Sequence, residues 1–261
     1  MMFDFHMHSR VSFDGHDSGE AMAQAALAAG LKEICFTDHL DYDPLGKMGV
    51  LAFDTDSYNA EYDSLKIPGL TIRRGMEFGM TQDNKVQFQQ DLQRRPFDFV
   101  LGSIHFVDDL DVYFEEYWSG KTIFQAERRY LESTLECVRI HDNFDVLAHL
   151  TYIAKTHCHP APRIVPYEDH REIIDEILRV LVAKGKGLEL NTSGMDRCGG
   201  FLPTADIFLR FKELGGTIVT VGSDAHRTNR VGQYSREACQ ILREIFGHVC
   251  TFADRKPIFH K

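Results

Sequence analysis

Short apolar segments of strand character alternate with amphipathic helical segments along nearly the whole chain, and this alternation restricts the fold more than any other feature. FDFHMH (3–8), EICFTDH (33–39), LTIRRGMEFG (70–79), FDFVLGSIH (97–105), DVLAHL (145–150), GLELNTS (187–193) and TIVTVGSDAH (217–226) read as strands. Helical patterns fall between and after them, at 20–30, 54–66, 83–95, 123–141, 168–184, 204–214 and 235–246. Strand and helix in alternation imply a parallel sheet covered by helices. About seven such units in 261 residues imply an α/β barrel. An open, doubly wound sheet is the alternative, weakened because no G-x-G-x-x-G follows the first strand. HVCTFAD (248–254) reads as a last short strand. The chain shows no internal repeat, low-complexity tract or linker, so a single domain over 1–261 is expected. Its six cysteines form no CxxC pair and are expected to be reduced and mostly buried.

The strand ends carry the chemistry. His6 and His8 end the first strand, His39 the second, Glu77 the third, His105 the fourth, His149 the fifth, and Asp224 with His226 the seventh. In a parallel barrel these ends share one rim, where barrel active sites are built. A single histidine at a strand end is ordinarily a packed or capped side chain. His6 and His8 are different, because residues two apart on a strand point to the same side and can reach one ion. Eight such groups at matched strand ends are hard to attribute to chance. Imidazole with carboxylate suits zinc, manganese or iron better than magnesium or calcium. At about three protein ligands per catalytic ion, the set is too large for one metal and points to two or three, with Glu77 able to bridge. Clustered metals lower the pKa of a bound water and clamp the oxygens of an in-line displacement. Phosphoester hydrolysis is the reaction class that fits.

HxH (His6, His8), TDH (37–39), GME (75–77), GSIH (102–105), AH (148–149) and GSDAH (222–226) together resemble the polymerase and histidinol phosphatase superfamily of metal-dependent phosphoesterases. The motifs run in the right order over nearly the whole chain. The resemblance implies a distorted (β/α)7 barrel with a trinuclear site of zinc, manganese or iron. One ion would take His6, His8, Glu77 and Asp224; a second would share Glu77 and take His105 and His149; a third would use His39, His226 and Asp14. Several relatives carry a histidine where Asp14 stands, so a harder metal such as manganese or iron is favoured there. His16 lies close by and is the alternative ligand. Within the superfamily, the chain is most similar to the stand-alone histidinol-phosphate phosphatases. That implies hydrolysis of L-histidinol phosphate to L-histidinol and phosphate, in histidine biosynthesis, through a metal-activated hydroxide. Asp224 or His226 would assist proton transfer to the leaving alkoxide.

A phosphate monoester also needs positive groups, and arginine suits bidentate phosphate contacts. Arg163 and Arg197 are the candidates, with Ser103 and Ser193 as weaker hydrogen-bonding ones. The acidic, aromatic insertion at 107–122 offers a lid: Asp108, Asp109, Asp111, Glu115 and Glu116 would receive the cationic part of a substrate beside Tyr113, Phe114, Tyr117 and Trp118. His157, Cys158 and His159 in THCHP are left out of the ligand set, and His141, His170, His248 and His260 are expected at the surface.

With 29 basic against 39 acidic residues, the net charge of −10 argues against sequence-blind nucleic-acid binding. No apolar run nears the roughly 20 residues that span a bilayer. A cytoplasmic enzyme acting on a small-molecule phosphate monoester is therefore expected. Other phosphoesterases of the superfamily remain alternatives: a nuclease, a nucleoside-monophosphate hydrolase or a tyrosine-protein phosphatase. An amidohydrolase fits less well, since that pattern wants a lysine at the fourth strand end, where Ser103 and His105 stand. A non-catalytic metal-binding module would keep the pocket without turnover.

Overall fold

The computed structural model describes residues 1–156 and 158–261. In chain order its elements are β1 (Phe3–Met7), α1 (Gly19–Ala28), β2 (Glu33–Phe36), β3 (His39–Leu40), α2 (Thr55–Tyr62), β4 (Thr71–Gly79), α3 (Lys85–Leu92) and β5 (Phe99–Ser103). Then follow β6 (Phe106–Val107), β7 (Leu110–Asp111), α4 (Glu115–Trp118), α5 (Ile123–Ile140), β8 (Val146–Leu147), α6 (Arg171–Ala183) and β9 (Gly187–Asn191). The chain continues through α7 (Met195–Cys198), α8 (Ala205–Glu213), β10 (Val219–Gly222), α9 (Ser235–Phe246), β11 (Val249–Ala253) and β12 (Lys256–His260).

The main sheet runs β1-β2-β4-β5-β8-β9-β10, every pairing parallel, with β3 added beside β4. Just past the strand ends, His8 donates its N–H to the Ala225 carbonyl at 2.9 Å and Asp224 donates to the His6 carbonyl at 2.7 Å. These bonds bring the last strand to the first, giving a nearly closed seven-stranded α/β barrel. Strands buried on both faces read as nearly continuous apolar runs; β1, β2, β5 and β9 are buried throughout. The helices keep an apolar stripe toward the barrel, as Ile173, Ile174, Ile177, Leu178 and Leu181 do on α6. A capping box at Thr122 and Gln125 starts α5, and Ser18 caps α1.

HVCTFAD forms a strand as expected, while two other expectations need correction. Because β10 already meets β1, this last strand has no barrel edge to join. β11 instead turns back on β12 as an antiparallel hairpin, with Asp254 and Arg255 at φ 48° and 63° supplying the left-handed turn that two-residue hairpins favour. Its Phe252 ring lies 4.8 Å from that of Phe99. The Arg255 side chain reaches Asp145 and the Asn143 carbonyl, so the hairpin covers the N-terminal end of the barrel.

The second strand is broken. β2 pairs with β1 and β4, the regular pairing lapses at Thr37 and Asp38, which keep single backbone bonds to Met7 and Glu77, and β3 resumes on β4 with His39 opposite Glu77. His105, His149, Asp224 and His226 likewise lie just beyond the strand ends, in the first residues of the following loops. His141 and His170, expected at the surface, are buried, because each turns its ring inward to an acceptor: His141 to the Thr81 carbonyl at 2.7 Å and His170 to Glu127 at 3.1 Å. His248 and His260 are half-buried. All six thiols are unpaired, and Cys158 alone among them is not buried.

Candidate metal centre

At the C-terminal rim the β1 alternation turns His6 and His8 to one side. The Nε2 of His6 lies 3.1 Å from Glu77 Oε2 and 3.6 Å from Asp224 Oδ1; the Nε2 of His8 lies 3.4 and 3.3 Å from the same oxygens. The other oxygen of Glu77 stands 2.8 Å from His149 Nε2 and 3.4 Å from His105 Nε2. A third neighbourhood holds His39 and His226, with Asp14 Oδ2 at 3.7 and 3.1 Å from their Nε2 atoms. Donor atoms within 4.8 Å of one another form the sets His6–His8–Glu77–Asp224, Glu77–His105–His149, His8–His39–His226 and His39–Asp41–His105.

The Nδ1 atoms explain why the Nε2 atoms face inward. His6 Nδ1 is tied to Glu189 Oε1 at 2.7 Å, His8 Nδ1 to Ser12 Oγ at 3.0 Å, and His226 Nδ1 to the Asp224 carbonyl at 2.9 Å. His39 and His105 turn their Nδ1 atoms to Asp41, at 3.0 and 2.8 Å. With Nδ1 protonated, each Nε2 lone pair points at a carboxylate oxygen and repels it unless a cation stands between them. His6 Nε2, His8 Nε2, His226 Nε2, Glu77 Oε2 and Asp14 Oδ1 are indeed buried without a hydrogen-bond partner. Buried polar atoms are seldom left so, and the donor set is that of a transition-metal site. The residues fit metal ions.

Without a metal, protons take that place: burial would push the Glu77 carboxyl up, yet His6, His39 and His105, kept protonated against burial by their carboxylate neighbours, hold it well below its usual range. Asp224 is also driven well down, by Lys155 and His6 against its burial. His8 is held at about 3 by burial and by neighbouring His226 and His39, which keeps its lone pair available. His149 and Asp224 adopt positive φ, 20° and 55°, a cost that non-glycine residues carry mainly at functional sites.

The cluster floors a cavity of about 600 Å³. Phe13, Met48, Leu51, Phe106, Tyr113 and Phe114 supply its apolar wall, and Lys155, Arg197, Arg230, Asp41, Asp111 and Asp196 are further charged groups in its lining. The structure thus brings together His6, His8, Asp14, His39, Glu77, His105, His149, Asp224 and His226, with Arg197 beside them. His16 is elsewhere: its ring is 3.0 Å from an Arg227 guanidinium nitrogen. Ser103 is fully buried and donates to Glu77 Oε1 at 2.6 Å instead of lining the cavity. Arg163 points away, its guanidinium on the buried Glu127 at 3.2 Å and on the Ile164 carbonyl. The lid is also narrower than expected. Asp111, Tyr113 and Phe114 reach the cavity, but Tyr117 and Trp118 are buried, Glu115 and Glu116 are exposed on α4, and Asp108 pairs with Arg129 at 2.7 Å. Of THCHP, His157 lies outside the described residues, and the buried His159 ring packs 4.7 Å from Trp118.

Asp41, Glu189 and Lys155 were not singled out by sequence. Asp41 follows TDH at alternate spacing, which was a usable signal; Glu189 sits mid-strand and Lys155 in an unpatterned loop, and neither carries one.

Residues 4–193 match the model of the PHP domain. The chain belongs to the PHP domain family. This PHP protein is 31% identical to a histidinol-phosphatase of Lactococcus lactis, over 97% of its own length and 95% of the relative's. It is also 31% identical to a probable histidinol-phosphatase of Clostridium acetobutylicum, over 99% and 96% of the two chains. The crystal structure of histidinol phosphate phosphatase from Lactococcus lactis, complexed with zinc, L-histidinol and phosphate, matches the PHP barrel with a TM-score of 0.85 and 30% identity, covering 98% of both chains. A putative histidinol phosphatase structure from Listeria monocytogenes shares the fold, with a TM-score of 0.75 and 19% identity over 90% of this chain and 99% of that one. Among the described residues no helix is long and apolar enough to cross a membrane.

Proposed function

We propose that this PHP protein is a metal-dependent phosphomonoesterase that hydrolyses L-histidinol phosphate to L-histidinol and phosphate. One observation carries the reading: buried imidazole and carboxylate atoms without partners converge on the floor of a cavity large enough for a small phosphate ester. The similarity to the Lactococcus lactis enzyme names the substrate. Three divalent ions, zinc, manganese or iron, would be held by His6, His8, Glu77 and Asp224, by Glu77, His105 and His149, and by Asp14, His39 and His226. When bound, such ions supply Lewis acidity toward phosphoryl oxygens and a more acidic water.

The chain's own residues complete the site. Lys155 and Arg197 place positive charge on the wall that a phosphate dianion would meet, where fixed donors stabilise charge that grows in the transition state. Asp111, a cavity carboxylate outside the proposed ligand set, accepts a backbone N–H from Tyr113 at 2.8 Å and offers a counter-charge to an ammonium or imidazolium. Tyr113 and Phe114 flank it with aromatic surface. Asp224 or His226 would assist proton transfer to the departing alkoxide, Asp224, which Lys155 helps hold ionised, by relaying a proton from water and not by giving one of its own. A cytoplasmic setting suits a substrate of this kind.

Metal-free protein reloaded with zinc, manganese or iron tests the reading. Assayed side by side, L-histidinol phosphate should have the highest kcat/KM among histidinol phosphate, deoxynucleotide 5′-monophosphates and phosphotyrosine. A preference for either of the others would overturn the substrate assignment.

A further inference from the structure

We infer that Asp41 and Glu189, neither of them in the proposed ligand set, are clamps that each tie together ligands of two different ions. The inference rests on the ligand assignment above. Asp41 Oδ2 takes the Nδ1–H of His39, a third-ion ligand, at 3.0 Å, and its Oδ1 takes that of His105, a second-ion ligand, at 2.8 Å. Glu189 Oε1 takes the Nδ1–H of His6, a first-ion ligand, at 2.7 Å; its Oε2 takes the backbone N–H of His149, a second-ion ligand, at 2.8 Å. Both carboxylates are buried. With both Asp41 oxygens engaged by Nδ1–H groups, Asp41 orients ligands and does not take a place among them. Glu189 also secures the backbone of His149 at its positive φ of 20°.

Space for each clamp is left by a strand glycine. A Cβ on Gly79 would stand 1.9 Å from Asp41 Oδ1, and one on Gly222 would stand 2.1 Å from Glu189 Oε1. Neither glycine has a positive φ, so room, not backbone freedom, calls for glycine there: room for Asp41 at Gly79, and for Glu189 together with the His6 Cβ, 2.3 Å away, at Gly222. The β4 strand that presents Glu77 thus also seats Asp41 two residues later, and the middle ion becomes the one both clamps share. Carboxylates on the far nitrogen of a ligating histidine fix its tautomer and raise its basicity, and removing one costs about 10–100-fold in metal affinity. As positioning residues, the two clamps should fail in different patterns.

The test uses the isosteric variants Asp41→Asn and Glu189→Gln, stripped of metal and reloaded with zinc. Zinc affinity is read by competition with a chelator, and occupancy at each position by anomalous scattering from crystals. Asp41→Asn should loosen the ions at His39 and at His105–His149 by about 10–100-fold and leave the His6–His8 ion filled. Glu189→Gln should loosen the ions at His6–His8 and at His105–His149 and leave the His39 ion filled. Gly79→Ala should reproduce the Asp41→Asn pattern with the carboxylate still present. Wild-type affinity at every position overturns the inference. So does an equal loss at all positions together with a lower Tm of the metal-free protein, which is what a merely structural role would give. If wild-type protein binds fewer than three zinc ions, the three-ion reading fails; the clamps are still judged by whether each variant loosens the ions its own histidines serve.

Discussion

The Lys155 ammonium lies 2.5 Å from Asp224 Oδ2 and 2.7 Å from Ser193 Oγ, placing a cation at the edge of a cluster otherwise made of histidines and carboxylates. It comes from the single helical turn after β8 and lines the cavity. Lys155→Met should lower kcat/KM for L-histidinol phosphate by about 10²-fold, the scale of losing one donor aimed at developing charge. The loss should fall mainly in kcat, with zinc content unchanged. Steady-state kinetics beside metal analysis would show this, and an unaltered kcat would remove Lys155 from the phosphoryl site.

The two arginines that sequence position made equivalent are separated by the structure. Arg197 lines the cavity and donates to the Thr156 carbonyl at 3.2 Å, whereas Arg163 spends its guanidinium on Glu127. Arg197→Ala should raise KM for the phosphate ester by about tenfold or more, since bidentate charge-assisted contacts exceed neutral ones about twofold in strength. Arg163→Ala should leave KM close to wild type and lower Tm, because it strips a cation from a buried carboxylate. The reverse outcome, a KM defect confined to Arg163→Ala, would mean that the 156–170 loop rearranges when substrate binds.

Glu127 gives the fold an acid-sensitive anchor away from the metal floor. Burial raises its carboxyl, but the nearby His159 ring, the hydrogen bond with His170 and the charge of Arg163 outweigh this and hold it at about 2, below its ordinary 4.5. A folded value below the unfolded one adds stability that is complete above about pH 4.5 and is lost as pH falls toward about 2. Wild-type protein should therefore lose urea resistance faster than Glu127→Gln across that interval, while the variant starts from a lower value at neutral pH. Parallel curves for the two proteins would show that Glu127 is not the titrating anchor.

How much of this was legible in the sequence depends on the kind of signal. Alternation of strand and helix revealed the barrel, because a strand buried on both faces must read as an apolar run. The residues proposed as ligands were legible as a cluster because they fall at or just past strand ends in HxH, TDH and SDAH spacings. Chain reversal was not: HVCTFAD has strand character, and nothing in it states that β10 has already closed the ring. Ser103 and Arg163 failed for a related reason. Their positions near the rim were read correctly, but the direction of a side chain is decided by partners distant in sequence, Glu77 and Glu127. Asp41 and Glu189 were hidden the same way, since each matters through histidines on other strands.

Asp14 and His16 offer the sharpest test of the third ion. Asp14 Oδ2 lies 3.1 Å from His226 Nε2 and 3.7 Å from His39 Nε2, and its other oxygen is buried without a partner. His16 is exposed and engaged by Arg227 at 3.0 Å. Opposition to His39 and His226 drives the Asp14 carboxyl strongly down despite its burial, so it is ionised at any working pH. Asp14→Ala and His39→Ala should therefore each lower zinc content by one ion per chain and remove most of kcat, while His16→Ala should keep both. Metal analysis after gel filtration in chelator-treated buffer reads the stoichiometry directly. Full zinc content in Asp14→Ala together with loss in His16→Ala would move the third ion away from Asp14, and full content in His39→Ala would abolish that position altogether.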